Sequence, residues 1–143
     1  MNPKSIVKLM MNSDLFSQWL GIKIIEIKLG KCIVKTTVNK EMLNGFGIAH
    51  GGITYSLADS CLAFAANSYG YLALSIDTKI KHLKKVKDGD VLKASSKLTN
   101  KTENNQEYQI LVTNQLEEVV AEFYGKVHLS KKKWTSDLLK NNN

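Results

Sequence analysis

Residues 52 to 69, GITYSLADSCLAFAANSY, read as one long helix that is apolar nearly all round. A helix of that kind has to be covered on most of its sides. Its small residues, Ser56, Ala58, Ser60, Ala63, Ala65 and Ala66, let a curved sheet come close, and Gly70 is placed to stop it. The flanking chain supplies the cover, because both sides of the helix are strand-like. The expectation is an α+β fold in which a curved antiparallel sheet wraps one long central helix.

The remaining elements follow from the pattern. Residues 1 to 21 read as an amphipathic N-terminal helix stopped by Gly21. IKIIEIKL and CIVKTTV, around Gly30 and Lys31, suggest a hairpin, and Asn44 to Gly47 a loop. Past the helix come strand-like runs at Leu72 to Leu83, Val91 to Leu98, Tyr108 to Leu116 and VVAEFYGKVHL. Turns at Lys87 to Asp90 and Asn100 to Asn105 separate them, and consecutive strands with short turns imply antiparallel pairing. A chain of 143 residues fits one domain. Its parts are the helix at 1–21, a core at 22–130 and a tail at 131–143 that frays beyond Trp134.

Charge narrows the function classes. The net charge is +7, yet all 20 basic residues are lysine, so no guanidinium fork is present for bases or phosphates. The lysines are spread along the chain, densest at Lys79 to Lys87 and Lys131 to Lys133, without interleaved aromatics or a recognisable nucleic-acid module. No nucleic-acid partner is expected. No apolar run approaches the ~20 residues that cross a bilayer, and the N-terminus lacks a secretory pattern. A cytoplasmic protein without a membrane partner is expected. Cys32 and Cys61 are isolated in apolar surroundings and read as buried free thiols. With 3 scattered histidines they make no metal cluster.

One residue is out of place on the central helix. Asp59 stands among Leu, Ala, Phe and Cys with no basic residue in the stretch. Such a carboxylate loses solvation, and its pKa tends to rise. His50, Gly51 and Gly52 form the helix entrance, where unpaired N–H groups and the helix dipole favour an anion or a carbonyl oxygen gaining charge. Gly51 and Asp59 are eight positions apart, ~12 Å along a helix, whereas reacting groups lie ~3 Å apart. Either one of the two is not catalytic, or the site is shared between two subunits related by a two-fold axis.

The run MLNGFGIAHGGITYSLADSCLAFAANSYG resembles the signature of hotdog-fold thioesterases, in particular the phenylacetic-acid-degradation subfamily. SIDTKIKHLKK, KDGDVL and AEFYGKVH resemble that family's later strands, so the likeness spans about residues 22 to 129. It implies an acyl-CoA thioesterase, with coenzyme A as part of the substrate and no other cofactor. It implies a homodimer with a continuous sheet around two helices, commonly paired into a homotetramer. Asp59 would be general base or nucleophile, and the Gly51 N–H of the other subunit would polarise the thioester carbonyl. Asn44 and His50 would shape the entrance, Gly52 would admit the substrate, and Ser75 would help position it. Tyr55, with Phe46, Phe64, Tyr69 and Tyr71, either lines a pocket for the acyl group or packs the core. Phenylacetyl-type and short or medium fatty acyl groups are both compatible with these side chains.

The chain departs from the family at one place. His82-Leu83-Lys84-Lys85 stand where an aromatic residue, Leu, a basic residue and Pro are common, which bears on the loop shape and the coenzyme contacts. Lys84 and Lys85 are the residues that would meet the coenzyme's phosphates. The alternative function is a hotdog module that binds acyl-CoA without hydrolysing it.

Overall fold

The computed structural model describes residues 1–140. Two short helices, α1 (Pro3–Ser13) and α2 (Leu15–Trp19), precede the strands β1 (Lys23–Lys28) and β2 (Lys31–Thr37). A 3-10 turn (Lys40–Met42) leads to the long helix α3 (Gly51–Asn67). Four strands follow: β3 (Tyr71–His82), β4 (Val91–Lys101), β5 (Asn105–Thr113) and β6 (Val119–Lys133).

The N-terminal segment is not the single helix expected over 1–21. Asp14 ends α1 and starts α2, its carboxylate accepting from the Ser17 N–H at 2.9 Å and the Ser17 hydroxyl at 2.6 Å. A side chain that caps the next helix turns the chain where periodicity alone would continue it.

All six strands pair antiparallel in the order β1-β2-β4-β5-β6-β3. β3 does not pair with the strand that follows it. It lies at the far edge beside β6, and the link from β3 to β4 runs against the loop that leads into α3, the carbonyl of buried Val86 accepting from the Ala49 N–H at 2.8 Å. The sheet curls round α3, whose Leu57, Ala58, Cys61, Leu62, Phe64, Ala65 and Ala66 are buried together with Val34, Leu92, Ile110, Val112 and Phe123 from the strands. Each large apolar side chain enclosed this way contributes ~1.5–3 kcal/mol of transfer free energy. Gly125 on β6 is the close approach, since a Cβ there would collide with the Leu62 side chain.

The far end of α3 is held by one buried amide. Asn67 donates to the Ala63 and Ala73 carbonyls and accepts from the Ala73 N–H at 2.9 Å and the Trp134 indole at 2.8 Å. β6 therefore runs through Lys133 and Trp134 is buried, so order extends past residue 130, where the tail was expected to begin. Residues 141 to 143 of that tail lie outside the described residues. Both cysteines are free and buried. β3 leaves its outer edge without a strand among the described residues, and along it Leu74 is 66% and Ile76 58% exposed. An apolar open edge of this length is a template for another strand.

Candidate active site

The loop before α3 is built to present the helix's first turn. Asn44 closes it, its side-chain oxygen accepting from the Phe46 N–H at 2.9 Å and the Ile48 N–H at 3.4 Å. Gly47 supplies the left-handed step (φ 77°) that lets the chain return toward the helix. His50 then caps α3, with Nδ1 accepting from the Gly52 N–H at 2.8 Å. A Cβ at Gly52 would stand 2.9 Å from that nitrogen, so the cap requires glycine there.

This cap leaves a specific opening. The Gly52 N–H is occupied by His50 and the Ile53 N–H by the His50 carbonyl, while the Gly51 N–H meets no acceptor among the described residues. It opens on a groove of about 330 Å³ lined by residues that include Asn44, Gly51, Thr54, His82, Lys84 and Lys85. An unpaired N–H at the positive end of a 17-residue helix, beside two lysines, is suited to a carbonyl oxygen gaining negative charge. The lysines differ in availability. Lys84 is paired with Glu118, and this contact is the main reason the Glu118 carboxyl lies below its usual range. Lys85 is exposed and makes no ion pair among the described residues.

Asp59 is on the same helix but not in the groove. It belongs to the half-open stripe of α3 formed by Gly52, Tyr55, Ser56, Asp59, Ser60 and Ala63. No hydrogen bond or ion pair engages its carboxylate among the described residues. Burial raises its pKa above the usual carboxylate range, and the nearby Asp14 charge raises it further. Asp14 sits close because α2 docks on this stripe, the Ser17 and Ser60 hydroxyls meeting at 2.9 Å.

The raised pKa sets a sign. The folded chain keeps the Asp59 proton over a pH window in which the unfolded chain has lost it, so stability falls as pH rises through that window. Asp14→Asn keeps a capping side chain for α2 and removes the charge. With Asp59 as the base of a reaction, this substitution is expected to move the acid limb of the kcat/KM profile to lower pH. A profile with an unchanged acid limb contradicts the coupling.

The other expected site residues are placed as follows. Ser75 is exposed on the edge strand β3, opposite Val127. Tyr55 turns inward, its ring edge-on to Phe123 at 5.2 Å between centroids and its hydroxyl bonded to Thr78. Phe64 is core, and Phe46 is 92% exposed at the loop tip. Tyr69 and Tyr71 line a different cavity with Lys101, Lys131 and Lys133. One chain thus gathers Asn44, His50, Gly51, Gly52, Lys84 and Lys85 at one end of α3, and leaves Asp59 and Ser75 elsewhere. The sequence reading missed the groove's His82 and the Asp14 beside Asp59. Their places depend on which strand ends meet α3 and on how α2 docks, neither of which has a local signal.

Comparison with known proteins agrees with this architecture. The family model described as the thioesterase superfamily matches residues 46–121. The acyl-coenzyme A thioesterase PaaI of Escherichia coli is 37% identical over 119 residues, 83% of this chain and 85% of that protein. The solved structure of E. coli PaaI, from the phenylacetic acid degradation operon, superposes with a TM-score of 0.90 at 34% identity, covering 93% of this chain and 96% of that one. A Streptococcus mutans protein solved bound to acetyl CoA has a TM-score of 0.76 at 28% identity, covering 79% and 91%. These matches, on a curved antiparallel sheet wrapped round one helix, show that the chain belongs to the thioesterase superfamily and has its hotdog fold.

Proposed function

We propose that this protein is a homodimeric acyl-CoA thioesterase whose active site joins the groove of one subunit to Asp59 of the other. The observation that carries the reading is the Gly51 N–H and the Asp59 carboxylate, both unpaired among the described residues and eight residues apart on one helix. The helix rise keeps them ~12 Å apart in a single chain, so chemistry that uses both needs two chains. The open apolar edge of β3 is where a second copy adds its own β3, extending the sheet and setting the two α3 helices side by side. Two such dimers then pair as a homotetramer.

In this reading the thioester carbonyl oxygen sits at the Gly51 N–H, with Asn44 and His50 holding the loop that presents it. The coenzyme's phosphates meet Lys85 at the groove mouth, Lys84 being engaged by Glu118. The partner's Asp59 removes a proton from water, and the water oxygen bonds to the carbonyl carbon. The C–S bond breaks, and the departing thiolate takes the proton back from Asp59. Direct attack by the carboxylate needs the same placement, followed by hydrolysis of the anhydride. Water, a base and an oxyanion donor suffice, so no further cofactor is required. The acyl group is phenylacetyl-type or a short to medium chain. No described helix is long and apolar enough to cross a membrane, and a cytoplasmic enzyme fits the substrate.

Measuring free thiol released from aromatic and aliphatic acyl-CoAs, side by side, tests the reading. Turnover of at least one class is expected. Tight binding of acyl-CoA without thiol release instead establishes the non-hydrolytic module.

A further inference from the structure

The geometry points to His82 as a second hydrogen-bond donor to the thioester carbonyl oxygen, acting beside the Gly51 N–H. This rests on the groove being the thioester site. His82 is the last residue of β3, paired with Ala121 of β6, and the chain turns away directly after it, the Leu83 N–H donating to the Val120 carbonyl at 2.8 Å. The sheet thus fixes the backbone from which the imidazole projects. Its Nε2 and Cε1 atoms both lie 3.3 Å from where a Cβ on Gly51 would stand, so the ring edge rests on that glycine.

Neither His82 nitrogen has a partner among the described residues, although His50 and His128 each use Nδ1 in a side-chain contact. An oxygen held at ~2.9 Å from the Gly51 nitrogen, the usual hydrogen-bond length, comes within reach of the ring edge that faces this glycine. When the carbonyl carbon is attacked, the π electron pair moves to oxygen, and a donor beside that oxygen strengthens its bond as the charge grows. The pair returns as the C–S bond breaks. His82 keeps its proton throughout and forms no covalent bond.

His82→Phe keeps a ring on Gly51 and removes the donor, while His82→Gln keeps an N–H of similar reach without the ring. Both are assayed with a CoA thioester that the wild type hydrolyses. His82→Phe is expected to lower kcat ~100-fold, the scale of one lost oxyanion donor, with KM nearly unchanged. His82→Gln is expected to recover a large part of that loss. Wild-type-like kcat in His82→Phe, or equal losses in the two variants, overturns the assignment. An Asp59→Asn control separates the two levels of the reading. If that control is inactive and His82→Phe is active, only the role of His82 fails. If Asp59→Asn turns over normally, the thioesterase mechanism itself fails.

Discussion

Asp59→Asn is expected to cut turnover by ~1,000-fold, within the range for loss of a general base, and to make the protein more stable near neutral pH. The amide has nearly the carboxylate's shape and cannot accept the proton. The stability gain follows from the raised pKa of Asp59. Burial raises the folded pKa of Asp59, so its ionised form burdens the fold above that pH, and a neutral side chain removes the burden. The difference between variant and wild type should vanish at pH values low enough to protonate Asp59 in both states. Denaturant unfolding at two pH values and a thiol-release assay check both halves. A destabilised but active variant would make Asp59 a structural carboxylate.

The second large effect is expected at Gly51. Gly51→Pro removes an N–H of the first turn that meets no acceptor among the described residues, at a helix position where proline is well tolerated. His50 already has φ −58° and ψ 137°, the extended backbone that a residue before proline adopts. The helix should therefore survive, and kcat should fall by ~100–1,000-fold. Gly51→Ala is the control, because it keeps the N–H while its Cβ meets the His82 ring. Its loss should be distinctly smaller. Equal losses in the two variants would assign the defect to crowding of His82 rather than to the missing donor.

What the sequence made legible was the part that local geometry governs. The helix, its glycine-rich start and the isolation of Asp59 are all set within a few turns, and a rise of ~1.5 Å per residue separates Gly51 from Asp59 without any tertiary information. The Gly30 turn and the β1–β2 hairpin were legible for the same reason. The place of β3 was not. A run of strands after the helix suggested neighbours in order, but strand order is decided by non-local pairing, and β3 found β6. That displacement produces the open edge and carries His82 to Gly51. The break at Asp14 did have a local signal, a capping residue after Asn12 and Ser13, which the apolar periodicity of residues 6 to 16 obscured. Tyr55 shows the remaining limit, since a tyrosine on a helix can face a ligand or the core, and here Phe123 and Thr78 hold it inward.

Whether Asp59 and Gly51 act together only across two subunits is decided by mixing the two inactive variants. Asp59→Asn and Gly51→Pro chains with different tags are co-expressed in equal amounts, and thiol release is measured on the assembled protein. Random pairing makes half of the dimers mixed, and each mixed dimer holds one site with both groups intact. Recovery of roughly a quarter of wild-type activity is expected, from the two-fold symmetry of the dimer. A mixture no more active than either variant alone, although mixed dimers are recovered through both tags, would contradict it.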